Sequence, residues 1–476
     1  MKSAEKPRYI ALRSTFIFFT AFAVHSQSLP SKTQILAKMK LANDYFITNP
    51  KHDPCSSCLT GSHSSDIWTR AVYYEGALAY YAISNDAAAL NHAVTWGTFH
   101  KWGMRSGNTT TNADDQCVGQ DYIDLYRLDP TKSERIANIK TCIDAEAGGS
   151  GNNYWTWIDA IQMSMPVFAK MGKQYGSDPK YFSKMYSLYN YPKSSLSLYN
   201  TTDHLWWRDA TFKTAKSPAG KNVYWSRGNG WVFAALARVL TELPATETHR
   251  QEYETTFKEM AAALKAVQRT NGFWNENLAD PTHFGGSELT GTGLFTFGMA
   301  WGVNNGLLLK ADYLPAIVNA WKAIADTAIF STGALGYVQG SGSEPGDNGS
   351  GVNGVTPSRN MVPDFDDYGL GCVLLAGSEV AKLAESTSSQ FRPGDQHLHS
   401  FAPSVRFSGT NLIVINNERV PAMISIFDAM GCRVLRTVIR GSATVRLPSR
   451  FGAGAYIVQA STGGKNVAIE RILLNR

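Results

Sequence analysis

The amino-acid sequence predicts a mainly α-helical protein: an (α/α)6 barrel of twelve helices, followed by a small C-terminal antiparallel β-sandwich. Helical periodicity and stop signals mark twelve segments between residues 31 and 385. Half-exposed helices alternate with helices that are apolar on nearly every side. After residue 402 the pattern changes to short β-branched runs, which Asn, Gly and Pro separate. These three observations define the expected architecture.

The alternation of helix character assigns the helices to two layers. The predicted helices begin near Ser31, Ser65, Asn85, Asp115, Thr131, Tyr154, Asp178, Arg227, Thr246, Thr290, Ala311 and Asp366. Odd-numbered helices carry charges along one face, as Glu252, Glu259 and Lys265 do in the ninth. Even-numbered helices are apolar all round, as the run LFTFGMAW of the tenth illustrates. A helix that hides both faces belongs to an inner ring and a half-exposed helix to an outer ring, which predicts a double-layered barrel over residues 31–385.

The N-terminal residues 1–26 have the pattern of a secretory signal peptide. A basic segment extends to Arg13, an apolar run follows from Phe16 to Val24, and small residues precede Gln27. The apolar run is too short to span a bilayer and no later segment is long enough, so we expect no membrane span. The sequence therefore predicts export to the medium or the cell surface, with the periplasm as a further option.

The C-terminal part differs from the barrel in composition and charge. Residues 386–402 have the composition of a linker, and residues 403–476 form the predicted β-sandwich. From Phe401 to Arg476 there are ten Lys or Arg and three Asp or Glu, which gives +7. Because the whole chain has a net charge of +6, the remainder carries about −1. The barrel therefore has no excess of positive charge with which to bind nucleic acid.

The sequence contains no recognisable motif for a cofactor or a metal. The glycine-rich stretch 340–354 has no preceding strand and no Lys-Ser/Thr ending, so we interpret it as a loop and not as a phosphate site. Cys55 and Cys58 form a Cys-x-x-Cys pair, but no second such pair and no His pair completes a zinc site. We therefore expect neither a cofactor nor a metal.

Residues that a hydrophobic core would not select gather at one end of the predicted barrel. If chain direction alternates, all even-numbered helices begin at the same rim. The polar and aromatic residues at those starts are Trp68, Arg70, Tyr73, Glu75, Asp114, Asp115, Trp155, Trp157, Asp159, Trp225, Arg227, Trp231, Glu288, Asp364, Asp366, Asp367 and Tyr368. Sugar rings stack on Trp and Tyr, sugar hydroxyls bond to carboxylates, and arginine holds a carboxylate in a bidentate contact. The composition of the rim therefore predicts a carbohydrate site.

Several of these residues also have structural explanations. Asp115 is compatible with a helix cap, since Asp is a common N-cap residue. Asp159 lies inside an apolar helix, where an unpaired carboxylate is unfavourable, so it either has a function or forms a salt bridge with Arg227. Glu75 is equally compatible with a buried ion pair with Arg70. Arg227 stands at a glycine-flanked helix N-terminus, whose free N–H groups add to its charge and favour an anion.

Five motifs of the barrel region point to a known family. WTRAVYYEGALAYY, NADDQCVGQDYIDLY, WIDAIQMSMPVFAKMG, WSRGNGWVFAALARVL and TGTGLFTFGMAWGVNNGLL occur in this order between residues 31 and 385. Together they resemble glycoside hydrolase family 105, the unsaturated rhamnogalacturonyl hydrolases. They are more distantly similar to family 88, the unsaturated glucuronyl hydrolases. The resemblance implies an (α/α)6 barrel, in agreement with the periodicity.

The resemblance also implies roles for individual residues. Asp159 matches the general acid/base of the family, and Asp114 matches a second aspartate near the sugar. Trp225, Arg227 and Trp231 match the segment that lines the uronate subsite. The remaining substrate-binding candidates are Trp68, Tyr73, Asp115, Trp157 and Arg208. Arg208 marks a departure from the family, because some members have a histidine in the corresponding segment.

The function implied by the resemblance is hydrolysis of a 4,5-unsaturated uronic acid, galacturonyl linked to rhamnose, from the non-reducing end of lyase-generated oligosaccharides. Protonated Asp159 would donate to C4 of the vinyl ether, and water would add at C5. Tryptophans and the charge of Asp114 are expected to keep Asp159 protonated.

Three alternatives remain open for the barrel. The first is the same reaction on unsaturated glucuronyl ends from ulvan or glycosaminoglycans. The second is a non-catalytic surface glycan-binding protein. The third is a glycosidase of saturated chains, which needs a second catalytic carboxylate, with Glu75 or Glu288 as candidates.

The C-terminal region resembles a different group of domains. The segments SIFDAMGCRVL and RLPSRFGAGAYIVQAS are similar to the sorting domains of type IX secretion substrates, with Asp-x-x-Gly-x-x-Val followed by Gly-x-Tyr. The resemblance implies secretion or cell-surface machinery as a partner. The excess of arginine leaves surface anchoring or polyanion binding open as well.

Overall fold

The structure is a computed structural model, and it describes residues 28–56, 64–341, 358–359, 367–388, 404–408, 411–415, 421–428, 433–448, 451, 454–462 and 465–474. The expected signal peptide (1–26) and most of the expected linker (386–402) lie outside these residues, as do Cys58, Asp364 and Asp366. The chain divides into two compact units, Met1–Phe391 and Arg392–Arg476.

The described part of the first unit is built almost entirely from helices. They are α1 (Lys32–Thr48), α2 (Trp68–Ser84), α3 (Ala87–Phe99), α4 (Ala113–Gln116), α5 (Val118–Leu128), α6 (Glu134–Gly148), α7 (Asp159–Gln174), α8 (Pro179–Asn190), α9 (Ser226–Glu242), α10 (Arg250–Ala266), α11 (Leu289–Asn304), α12 (Lys310–Ala323) and α13 (Asp367–Ser388). Helices α4 and α5 are separated only by Cys117, whose φ of −55° and ψ of −40° are helical. They therefore count as one helix, and the prediction of twelve helices is confirmed.

Six of these helices form a closed inner ring. Helix α2 packs against α5, α5 against α7, α7 against α9, α9 against α11, and α11 against α13, which returns to α2. Helices α1, α3, α6, α8, α10 and α12 pack on the outside of this ring. Inner helices are enclosed on every side, as the unbroken burial of α11 from Leu289 to Gly302 demonstrates. The predicted (α/α)6 barrel is therefore confirmed.

Glycines permit the close contact between α2 and α13. A β-carbon added to Gly76 would lie 2.4 Å from the carbonyl oxygen of Gly371. One added to Gly371 would lie 2.1 Å from the carbonyl oxygen of Val72. Both distances are far below van der Waals contact, so neither position accepts a side chain without separation of the two helices. This requirement explains the glycines that the sequence places inside otherwise apolar inner helices.

The inner helices run in the same direction and therefore share one end of the barrel. We call this end the N-terminal rim; it comprises the first residues of α2, α4, α7, α9, α11 and α13 and the segments that lead into them. One such segment, between α8 and α9, contains a short hairpin of β1 (Tyr199–Asn200) and β2 (Leu205–Trp206).

The second unit consists of two antiparallel sheets. One has the order β3 (Ser404–Ser408), β4 (Asn411–Ile415), β7 (Ala443–Arg446). The other has the order β6 (Arg433–Ile439), β5 (Ala422–Phe427), β8 (Gly454–Thr462), β9 (Lys465–Leu474). Leu412 and Val414 of β4 share a hydrophobic cluster with Ile424 and Ile426 of β5. The two sheets thus bury one common core, as expected for a small β-sandwich.

Within the described ranges, no helix combines the length and the apolarity that a bilayer crossing needs.

Candidate active site

Asp159 is the first residue of α7 and is held beside Arg208 by the backbone. Trp157 forms an isolated antiparallel bridge with Asp209, and the Ile158 N–H donates to the Arg208 carbonyl oxygen over 2.9 Å. This pairing fixes the turn before α7 against the segment after β2. The Asp159 side chain is 15% exposed, so it is accessible from the rim although it is mostly enclosed.

Arg208 is the cation nearest to Asp159. Its Nε lies 3.7 Å from Asp159 Oδ2, while its Nη1 donates to Asp209 Oδ2 over 2.6 Å. The first distance is too long for a hydrogen bond. Asp159 Oδ2 and Arg208 Nε are both buried and have no hydrogen-bond partner among the described residues. Asp159 thus forms its ion pair with Arg208, and the alternative of a salt bridge with Arg227 is wrong. Because neither of these two atoms makes a hydrogen bond, both remain available to a ligand.

Asp114 is the group whose pKa is most relevant to acid–base chemistry here. It lies near the start of α4, where the N-cap is Asn112, whose Oδ1 accepts from the Asp114 N–H over 2.9 Å. Burial and the charge of Asp159 raise the pKa of Asp114 to about 7, although Arg105 and Arg208 oppose the shift. From the sequence, the charge of Asp114 was expected to keep Asp159 protonated; in the structure the charge of Asp159 raises the pKa of Asp114.

Asp115 has a structural position beside this carboxyl. Its Oδ1 lies 2.8 Å from Arg105 Nε and 2.7 Å from Nη2, and its Oδ2 accepts from Thr110 Oγ1 over 3.2 Å. Asp115 is only 2% exposed. It does not cap its helix, because Asn112 does so. Instead it fastens the loop before α4 and thereby positions Asp114.

The start of α9 contributes an arginine and two tryptophans. Arg227 is 2% exposed, and its Nη1 donates to the Gly340 carbonyl oxygen over 2.6 Å. Trp231 is fully buried and meets Trp68 edge to face at 6.0 Å between ring centroids. Trp225 is 2% exposed. Arg227 thus binds the backbone at Gly340, while Trp68 and Trp231 contact each other edge to face.

Tyr73 occupies the core. Its side chain is fully buried, its hydroxyl donates to Asn43 Oδ1 over 2.9 Å, and its ring stacks on Phe46 at 3.9 Å. No face of Tyr73 is therefore presented to the rim, although the sequence expected it to contact substrate. The prediction that Tyr73 contacts substrate is therefore wrong. Tyr73 lies in the second turn of α2, and its side chain points into the core although the helix begins at the rim.

The two glutamates that were candidates for a second catalytic carboxylate also have structural partners. Arg70 pairs with Asp367 (Nε to Oδ2, 3.0 Å) and not with Glu75. Glu75 is fully buried and contacts Arg238, while Gln162 Nε2 donates to it over 2.8 Å.

Glu288 is likewise occupied, because it caps α11. Its carboxylate accepts from the Thr290 and Gly291 N–H groups, at 2.6 and 2.7 Å, and from Ser226 Oγ at 2.8 Å. Neither Glu75 nor Glu288 is therefore free to serve as the second carboxylate of a conventional glycosidase.

The rim also contains buried hydrogen-bonding atoms without partners, some of which the sequence did not single out. These buried polar groups have no hydrogen-bond partner among the described residues. They include the indole N–H groups of Trp155, Trp207, Trp225 and Trp231 and the side-chain amide of Gln339. Buried donors are normally satisfied, so such a set marks a place for water or a ligand. The sequence did not identify Trp207 and Gln339 as site residues. The available signals were that Trp207 directly precedes Arg208 and that Gln339 directly precedes the glycine-rich stretch 340–354. Within the described ranges, no group of His, Cys, Asp or Glu is arranged to hold a metal ion.

Comparison with known proteins identifies relatives of the barrel. Residues 38–384 match the family described as Glycosyl Hydrolase Family 88. A protein from Formosa agariphila named unsaturated 3S-rhamnoglycuronyl hydrolase is 33% identical over 341 residues, which are 67% of this chain and 85% of that protein. A protein of the same name from an Alteromonas species is 36% identical over 226 residues, 48% of this chain and 51% of that protein.

A solved structure agrees with these sequence matches. It is described as a glycosyl hydrolase family 88 protein from Bacteroides vulgatus and is 31% identical, with a TM-score of 0.66 over 74% of this chain and 99% of that one. The motifs suggested family 105 first, whereas the family match is to family 88. Because that match spans all thirteen helical segments except the ends of the first and last, the chain belongs to glycosyl hydrolase family 88 and is a glycoside hydrolase.

Proposed function

We propose that this hydrolase removes a 4,5-unsaturated uronic acid from the non-reducing end of oligosaccharides in which the uronic acid is linked to rhamnose. The observation that carries the proposal is the pair of rim carboxyls, Asp159 and Asp114, beside Arg208. Asp114 has a pKa of about 7, so the pair holds a proton near neutral pH. An unsaturated uronate needs one proton donor and a cationic contact for its carboxylate, and both are present at this rim.

The reaction uses the vinyl ether of the unsaturated ring. A proton from the carboxyl pair is delivered to C4 by Asp159, and positive charge develops at C5 and the ring oxygen. Water adds at C5 while Asp159 takes up its proton. The resulting hemiketal opens, C1 becomes a hemiacetal, and this hemiacetal collapses to the aldehyde and releases the neighbouring sugar. The net change is addition of one water molecule, and the carboxyl returns to its starting protonation state.

Binding of the substrate would place its carboxylate on Arg208, beside the carboxyl pair. In the free site Arg208 lies 3.7 Å from Asp159, while burial and the charge of Asp159 raise the pKa of Asp114. In the proposed reaction the proton held by Asp114 passes to Asp159, which delivers it to C4. We therefore assign the uronate carboxylate to Arg208, because Arg227 is engaged with Gly340.

The substrate class is supported by the two named relatives. Both are called unsaturated 3S-rhamnoglycuronyl hydrolase, a name that joins rhamnose to an unsaturated uronyl group. The proposal covers galacturonyl and glucuronyl ends alike, so it includes both the family 105 type of substrate and ulvan fragments.

The test compares defined oligosaccharides. The full-length protein is incubated with lyase-treated rhamnogalacturonan, lyase-treated ulvan, lyase-treated glycosaminoglycan, and the same polysaccharides without lyase. We expect ultraviolet absorbance of the double bond to fall, with release of the shortened sugar, for at least one rhamnose-linked substrate. Turnover of untreated chains would identify an ordinary glycosidase, and binding of all samples without turnover would identify a glycan-binding protein. Turnover of glycosaminoglycan fragments alone would refute the rhamnose requirement.

Three variants test the residue roles. Asp159→Asn should abolish the absorbance change while oligosaccharide binding persists; substantial residual turnover would remove Asp159 from the reaction. Arg208→Lys should raise KM about tenfold or more, because two-pronged recognition is lost. Arg227→Lys is the comparison variant, because the family resemblance places Arg227 at the uronate subsite and the same rise in KM would then be expected for it. If only Arg227→Lys raises KM, the carboxylate belongs to Arg227.

We also propose that residues 1–26 direct export and that the second unit is a sorting domain of the type IX kind. The support is the sequence pattern Asp428–Gly431–Val434, followed by Gly454 and Tyr456. Deletion of residues 403–476 should keep the enzyme inside cells of a bacterium that possesses type IX secretion, whereas the full chain reaches the surface or medium. Equal export of both proteins would refute the proposal.

A further inference from the structure

A polar cavity lies on the outside of the barrel, separate from Asp159 and Asp114. It has a volume of about 510 Å3 and is lined by Asn152, Asn153, Tyr186, Asn190, Tyr191 and Ser195, among others. Its residues come from the loop between α6 and α7 and from the end of α8 with the π-helical turn Tyr191–Ser195. Isolated π turns occur frequently at functional sites.

The residues of the cavity lie at the same end of the barrel as the N-terminal rim. The loop between α6 and α7 leads directly into Asp159, and α8 runs antiparallel to α7, so α8 ends where α7 begins. Asn153 precedes Asp159 by six positions, and an extended chain of that length spans at most about 22 Å. A few linked sugar rings cover this distance, so one oligosaccharide is able to occupy both places.

The side chains of this cavity suit an uncharged, hydroxyl-rich ligand. Asn152 is fixed by Lys184, whose Nζ lies 3.0 Å from its Oδ1, so its NH2 group is free to face outward. Tyr186 stacks on His249 with ring centroids 3.3 Å apart, which immobilises its ring. Asn153 is exposed and Tyr191 is partly exposed, and both line the cavity. Amides and flat tyrosine rings held on a rigid support are the groups with which proteins bind sugars.

We propose that this cavity is a distal subsite that binds hydroxyl-rich sugar units of the leaving chain, several residues beyond the scissile bond. The inference rests on the proposed function, because it requires the chain to extend from Asp159 toward its reducing end. It assigns to the protein a preference for longer unsaturated oligosaccharides over unsaturated disaccharides. Lys184 has a structural role beneath the cavity, since it also donates to the Gly149 carbonyl oxygen over 3.1 Å.

Chain-length dependence tests this subsite. The full-length protein is assayed on an unsaturated disaccharide and on longer unsaturated oligosaccharides with the same terminal sugars. We expect kcat/KM to be about tenfold higher for the longer substrates in the wild type. Asn153→Ala should reduce this ratio about two- to tenfold, the range of one hydrogen bond, without changing turnover of the disaccharide. Tyr191→Ala should reduce it further through loss of the ring.

The matched control is Asn91→Ala, an exposed asparagine of the outer helix α3. It should leave the ratio unchanged. Equal kcat/KM of the wild type on both lengths, or an equal loss on both lengths in Asn153→Ala, would overturn the subsite. If no unsaturated substrate is turned over, the proposed function fails first. Titration calorimetry of Asp159→Asn, with and without Asn153→Ala, then measures binding of the longer oligosaccharide directly, and unchanged affinity would reject the subsite.

Discussion

Replacement of Asp114 by asparagine should change how the stability of the barrel depends on pH. The pKa of Asp114 is raised from 3.8 to about 7, so the folded protein holds a proton that the unfolded chain releases between these values. The contribution of Asp114 to stability is therefore fully present below about pH 4 and is lost as the pH rises toward 7. At about 1.36 kcal/mol per pH unit, the loss amounts to at most about 4 kcal/mol. Asparagine cannot ionise, so the Asp114→Asn variant escapes this loss.

The expected effect is measurable as a melting temperature. A barrel of about 350 residues has an unfolding entropy of about 0.7 kcal/mol/K, so 4 kcal/mol corresponds to about 5 °C. We expect the Tm of Asp114→Asn minus that of the wild type to increase by up to this amount between pH 4 and pH 8, in circular dichroism or calorimetry at constant ionic strength. Parallel Tm profiles of the two proteins would refute the assigned pKa of Asp114.

A second variant tests the cause of the shift. The charge of Asp159 is the main electrostatic contribution after burial, so Asp159→Asn should lower the pKa of Asp114. The Tm difference caused by adding Asp114→Asn should therefore be smaller in the Asp159→Asn background than in the wild type. An unchanged difference would show that burial alone raises the pKa. In the wild-type enzyme, kcat/KM should fall above about pH 7 as Asp114 loses its proton.

Two further predictions concern the barrel itself. Gly371→Ala should destabilise the protein by about 1–3 kcal/mol or more in denaturant unfolding, because the added methyl group meets the Val72 carbonyl oxygen. Gly148→Ala is the control: its methyl group meets open space, so this variant should be neutral or slightly stabilising. Arg238→Met should destabilise by about 3–5 kcal/mol because it leaves the buried Glu75 carboxylate without its cation, and Glu75→Gln in the same chain should restore much of this loss. Wild-type stability of Gly371→Ala or Arg238→Met would contradict these contacts.

Local sequence patterns were sufficient for the architecture. The residues of α11 are apolar on every side, which is evident from the sequence. The alternation of such helices with half-exposed helices predicts two layers, even without knowing which helices pack together. The same reasoning placed Asp159, Asp114 and Trp225 at one rim, because helix direction alternates along the chain.

The choice of partners could not be read from the sequence. Arg70 has Glu75 five residues away but pairs with Asp367, and Glu75 instead contacts Arg238. A salt bridge with Arg227 was the structural alternative for Asp159, but the cation beside Asp159 is Arg208. Each of these contacts joins residues far apart in the chain, so it depends on how the helices pack.

The sequence by itself determined a twelve-helix barrel with acidic and aromatic residues at one end, because apolar periodicity and helix direction are local properties of the chain. Only the tertiary structure decided that the pKa of Asp114 is raised to about 7. A pKa depends on burial and on nearby charges. Around Asp114 these charges are its chain neighbour Asp115 and three residues that the fold brings close, Asp159, Arg105 and Arg208.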